Sequence, residues 1–406
     1  MKSMQPPRTF SARTAWDISE TELARAINER QANGLPLLDL TASNPTRCGF
    51  KYDEEAILSA LGRRESLAYD PDPRGMLRAR EAVSRYYSDL GAAVEPEHLF
   101  LTTGTSEGYS FLFRLLCDPG DEILIAQPSY PLFDFLAQLE SVRLIPYPLF
   151  YDHGWRLDAE SLRREIGPKT RAIALVHPNN PTGHFTKDSE RVELEALCVE
   201  HGLALIVDEV FLDYGLGDFG PGGRAGRSFA QGPHPVLTFV LSGLSKIAAL
   251  PQMKAAWIAC FGPGPLLSPA LDRLEVIADT FLSMNAPIQC ALPQWMAARS
   301  GILAQVSARL EENLRSLDAV LAAQPLVSRL EVEAGWYAVL RVPALLPGEE
   351  LAVRLVREHG VSVHPGYFFG FAGDGWLVVS LLTPETVFRM GIEHIARFFR
   401  GLTQEP

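Results

Sequence analysis

This sequence predicts an α/β protein with a mostly parallel seven-stranded sheet and a second, smaller α+β domain. Three observations carry that expectation. Seven apolar runs of strand length recur, at 98–101, 122–126, 142–146, 172–176, 203–207, 236–241 and 255–260. Amphipathic helical patterns separate most of them, as at 106–116, 132–139 and 189–201, and such alternation builds a parallel sheet with helices on both faces. Beyond residue 291 the pattern changes to a long, charge-decorated helix at 292–322, followed by short strands and helices.

The elements follow in order. Residues 246 to 255 leave no room for a crossover helix, so the last two strands of the large sheet are expected to run antiparallel. In the C-terminal third, 336–341 and 376–381 read as strands, and 349–359 and 385–399 as helices. The helical segment 21–33 is expected to complete this smaller unit. A boundary near 287–296 then divides the chain into a large domain, 48–290, and a small domain made of 1–47 plus 291–406.

Bulk properties narrow the function. The chain has 406 residues, 47% hydrophobic and 21% charged, as in ordinary globular proteins. A formal net charge of -12 argues against nucleic-acid or anionic-membrane partners. No apolar run reaches membrane-spanning length, and residues 1–8 carry no apolar signal core, which points to the cytoplasm. Cys48, Cys117, Cys198, Cys260 and Cys290 are scattered without CxxC spacing, so they read as reduced core thiols with no metal site.

Four motifs follow predicted strands, and ligands of open α/β sheets bind beyond the strands' carboxyl ends. Lys246 closes the run Ser-Gly-Leu-Ser-Lys, and a desolvated amine there suits imine formation with an aldehyde. Asp208 ends a buried run, where a carboxylate serves a metal, a helix cap or a protonated pyridine nitrogen. Asn179-Asn180-Pro-Thr-Gly183 makes either an Asx-stabilised turn or a donor to a phenolic oxygen. Gly104-Thr105-Ser106 serves equally as a plain helix start and as an anion cup, with Gly104 permitting a tight turn.

In their order and spacing these motifs, with Tyr69-Asp-Pro-Asp-Pro-Arg-Gly75 and Pro128-Ser-Tyr130, resemble those of the class I/II aminotransferases. These are fold-type I enzymes dependent on pyridoxal 5'-phosphate, and the likeness runs from about residue 39 to 381. It implies exchange of an amino group between an amino acid and a 2-oxo acid through a Lys246 aldimine, with Lys246 also shuttling the proton. Asp208 would face the pyridine nitrogen, Asn180 the ring oxygen, and Tyr130 the ring. Gly104, Thr105, Ser106, Ser245 and Lys254 would hold the phosphate. Tyr69 would reach it from a second subunit, implying a homodimer with shared active sites.

Three departures from the family pattern stand out. Phe211 replaces a tyrosine that donates to the ring oxygen, which favours the protonated imine. Lys254 replaces an arginine at the phosphate and loses its fork. Val378 replaces the arginine that clamps the substrate carboxylate, which leaves open a lyase, decarboxylase or biosynthetic enzyme of the same fold. Arg47, in Ser43-Asn44-Pro45-Thr46-Arg47, is the candidate replacement clamp, with Asn44 beside it. Tyr367, Phe368, Phe369, Phe371 and Trp376 form either small-domain core or an apolar substrate wall, the latter suiting an apolar or aromatic donor.

Overall fold

Successive residues of the strand Ala204–Asp208 feed two different cores, which is why every one of them is apolar or ends the strand. Leu205 and Val207 join a cluster with Val83, Tyr87, Leu194 and Leu197 from helices on one face. Ala204 and Ile206 join Phe111, Leu112, Leu271 and Leu274 on the other. A strand's side chains alternate between faces, so a sheet covered on both sides demands unbroken apolar runs. Each fully buried Leu or Ile contributes about 1.5–3 kcal/mol. The computed structural model describes residues 9–220 and 227–402, and the N-terminal octet read above lies outside them.

The large sheet has eight strands, not seven. In spatial order they are Leu99–Thr102, Ala256–Phe261, Thr238–Gly243, Ala204–Asp208, Thr170–Val176, Glu122–Gln127, Arg143–Tyr151 and Trp155–Leu157. The added edge strand, Trp155–Leu157, pairs antiparallel with the end of its neighbour. Three residues are too few to display a period, so it left no trace in the pattern. Ala256–Phe261 pairs antiparallel with Thr238–Gly243, as the short connection requires, and also with Leu99–Thr102. Leu99–Thr102 therefore points the same way as the parallel strands, and their carboxyl ends share one edge.

A second sheet, antiparallel throughout, orders Ser328–Arg329, Tyr337–Arg341, Trp376–Ser380 and His364–Pro365. Ala338, Leu340, Leu377 and Val379 pack on one side against Leu310, Leu317, Phe388 and Ile392. Val339 and Val378 on the other side join the large-sheet core with Phe369 and Phe371. The N-terminal helix Glu22–Ala32, capped by Thr21 Oγ1 accepting from the Ala24 amide at 3.1 Å, buries Leu23 and Ala26 in the small-sheet cluster. Leu38–Asp39 then pairs parallel with Val361–Ser362. The chain thus enters the small unit before it builds the large one.

One helix, Ala286–Leu321, ties the two cores together. It starts six residues earlier than the charge pattern suggests, because Asn285 Oδ1 accepts from the Ile288 amide at 3.2 Å and Pro287 fits its first turn. Ala291, Leu292 and Trp295 sit in the large core, and Val306, Leu310 and Leu317 in the small one. Among the described residues no helix is long and apolar enough to cross a membrane.

Candidate active site

The shared carboxyl edge of the strands gathers one cavity. Thr105, Ser106, Tyr130, Asn180, Asp208, Ser245 and Lys246 all line it, together with Ser43, Phe133, Val176, Val210, Phe211 and Tyr337. Each polar member has a local reason for its place. The helix Thr105–Leu116 begins directly after Leu99–Thr102, and no side chain caps its first turn. Its free amides therefore face the cavity edge as an anion-binding end. Gly104 is extended at φ 178°, a conformation open to any residue, so a tight turn is not what requires glycine here. A Cβ at Gly104 would lie 3.4 Å from Lys254 Nζ, an ordinary contact that places that ammonium beside the helix end. Lys254 itself is left-handed, φ 51°, and brings its ammonium to that cup without lining the cavity.

The asparagine pair divides its work. Asn179 holds the turn, its Oδ1 accepting from Thr182 Oγ1 at 2.9 Å and its carbonyl from the Gly183 amide at 2.8 Å. Gly183, at φ 72°, abuts Ala334, whose carbonyl oxygen would lie 2.4 Å from any Cβ. Asn180 is thereby aimed into the cavity, and its buried Oδ1 has no hydrogen-bond partner. Glu209, beside Asp208, turns away to accept from Ser228 Oγ at 2.7 Å and the Phe229 amide at 2.6 Å.

Electrostatics set the chemistry of the remaining pair. Burial pushes the Asp208 carboxyl up to about 6, against the Val210 amide, which donates to its Oδ1 at 3.1 Å, and against Tyr109 and Lys246. Burial lowers the Lys246 amine to about 8, with the Asp208 charge opposing. The amine lies over the Trp336 ring at 4.7 Å and the Phe211 ring at 5.5 Å, so aromatic faces replace water around it. Tyr214 anchors its backbone by donating to the Lys246 carbonyl at 2.5 Å.

Other predicted residues stand elsewhere. Tyr69 is 79% exposed and lies outside the cavity of its own chain. Asn44 caps the short helix Pro45–Arg47 by accepting from the Thr46 amide at 3.1 Å. Arg47 is exposed on that helix and does not line the cavity. The aromatic group splits: Phe369 and Phe371 are buried core, with Trp376 packed against them. Tyr367 and Phe368 line an adjoining cavity that shares Tyr130 and Phe133 with the first. Sequence reasoning missed Tyr337, Ser43's place on the cavity wall, and Trp336. The signal available was the alternation Tyr337, Val339 on a strand whose other face is pure core.

An uncapped helix end with a nearby ammonium, a buried carboxylate, an amide aimed into the cavity and an amine lowered by burial suit an anionic pyridine aldehyde. The residues present fit pyridoxal 5'-phosphate. The chain belongs to the aminotransferases of class I and II, whose sequence pattern matches residues 37–395. It is 24% identical over 382 residues to the glutamate-pyruvate aminotransferase AlaA of Escherichia coli, covering 92% of this chain and 93% of that protein. It is 28% identical over 391 residues to the arginine-pyruvate transaminase AruH of Pseudomonas aeruginosa, covering 94% and 93%. The solved alanine aminotransferase from Pyrococcus furiosus superposes with a TM-score of 0.86 over 97% of this chain and all of that one, at 22% identity. This protein is a pyridoxal phosphate-dependent transferase of amino groups.

Proposed function

We propose that this aminotransferase exchanges an amino group between an apolar or aromatic amino acid and a 2-oxo acid, with Lys246 as its catalytic residue. One observation carries the reading: the Lys246 amine, brought near neutrality by burial, shares a cavity with Asp208 and Asn180. Bound pyridoxal 5'-phosphate supplies an electron sink for the bonds at the amino-bearing carbon. The chain's residues do the rest. Asp208 holds a proton on the pyridine nitrogen, and Asn180 donates its amide to the ring oxygen. The helix end at Gly104, Thr105 and Ser106, with Ser245 and Lys254, takes the phosphate. Tyr130 covers the ring and excludes water. Lys246 takes up and returns a proton at Nζ. Tyr69 completes the phosphate site of a second copy, in a homodimer.

The substrate preference rests on the wall. Phe133, Val176, Val210 and Phe211 face the cavity, and Tyr367 and Phe368 continue it beyond Tyr130. The test is a panel of amino donors added to cofactor-loaded enzyme. Apolar and aromatic amino acids should convert the cofactor's absorption band to that of its amine form and release their 2-oxo acids. Ammonia or carbon dioxide appearing without a 2-oxo acid would contradict the proposal.

A further inference from the structure

A donor that is an amino acid brings a carboxylate into the cavity, yet no arginine lines it among the described residues, and its one lysine is Lys246. Burying a carboxylate without donors costs several kcal/mol, so something else must receive it. The polar groups on the large-sheet wall are already committed to the cofactor in the reading above. Two hydroxyls remain on the opposite wall, Tyr337 and Ser43.

Their placement follows from the small sheet. Val378, where the family resemblance expects arginine, is fully buried beside Val339 and Phe369. Directly opposite Val378 on the neighbouring strand stands His364, and paired residues of adjacent strands project on the same face. The His364 ring lies 6.5 Å from the Tyr337 ring and packs edge-on against Phe369 at 5.6 Å. It also lies against the backbone of Thr41, two residues before Ser43. Tyr337 shares the cavity wall with Ser43, and burial holds its phenol well above the usual range, so it stays a donor. Ser380, paired with Tyr337 in register, fixes the same segment by donating from Oγ to the Ala42 carbonyl at 2.5 Å.

We propose that the Tyr337 hydroxyl, with Ser43 beside it, receives the substrate carboxylate in place of an arginine. His364 is the positioning residue that holds the 41–43 segment against Tyr337. The inference rests on the aminotransferase reading and names the recognition element of that same cavity. A hydroxyl pair binds a carboxylate less tightly than a bidentate guanidinium does, so recognition here depends more on the apolar side chain.

The experiment compares phenylalanine with phenethylamine, its counterpart lacking the carboxylate, on cofactor-loaded enzyme. In Tyr337→Phe the ratio of KM for the acid to KM for the amine should rise about tenfold or more, because one hydrogen bond to a charged group is lost. His364→Val should raise the same ratio by about threefold with kcat held within twofold, a split that general loosening of the fold does not produce. Titration with 3-phenylpropanoate, read from the cofactor's absorption, measures carboxylate binding without turnover and should weaken in parallel. An unaltered ratio and unaltered 3-phenylpropanoate affinity in Tyr337→Phe would overturn the proposal. Failure of the native enzyme to convert any amino acid would instead overturn the functional reading on which it rests.

Discussion

The two walls of the cavity are built on opposite plans. The large-sheet wall carries a buried acid, an amide, a lysine and an uncapped helix end, each set at the end of a strand. The opposite wall offers a hydroxyl pair, Tyr337 of the small sheet and Ser43, with Val339 and Val378 sealed into core. Charge is thus concentrated where the cofactor binds and withheld where the substrate must be chosen. The comparison teaches that the charged groups and the proposed carboxylate-binding hydroxyls stand on opposite walls, so variants should separate turnover from carboxylate recognition.

The largest effect expected is at Lys246. Lys246→Ala should lower kcat by about 10²–10⁴-fold, the usual worth of a positioned proton carrier, in single-turnover assays of reconstituted enzyme. Asp208→Asn comes next on the same wall, with a loss of about 10²-fold, because the neutral amide cannot hold the pyridine proton. If instead small-sheet substitutions cost as much kcat as these, the division between the walls is wrong.

Two predictions concern ionisation. Burial lowers Lys246 from 10.5 to about 8, favouring the uncharged amine. The rate at which cofactor-free protein captures pyridoxal 5'-phosphate should therefore rise with pH below about 8 and level off above it. A rise continuing to pH 10 would mean the amine is not desolvated. Phe211→Tyr adds a donor beside the ring oxygen and should lower the pH of the bound cofactor's absorbance transition by about one unit. The smallest effect is expected at Lys254→Arg, where the regained fork should slow cofactor dissociation several-fold, measured by dilution and activity decay.

Much of this was legible in the sequence because buried parallel strands write themselves as apolar runs and their ends carry the chemistry. Lys246, Asp208 and Asn180 each follow such a run, so their meeting in one cavity could be anticipated. The small-sheet wall was not legible in the same way. Tyr337 shares a face with Val339 by local alternation, but His364 reaches that face through pairing from Val339 through Val378, and register between distant segments leaves no local trace. The eighth strand is hidden by its length, and Arg47, a candidate clamp by its charge, stands exposed on its short helix. Gly104 suggests a tight turn from its residue type alone, whereas its backbone is extended, a conformation that residue type does not reveal.

The most direct test of the account is chemical. Cofactor-loaded protein treated with borohydride, digested and mapped by mass spectrometry should carry a single phosphopyridoxyl group, on the peptide containing Lys246. Label on another lysine, or none on that peptide, would contradict it.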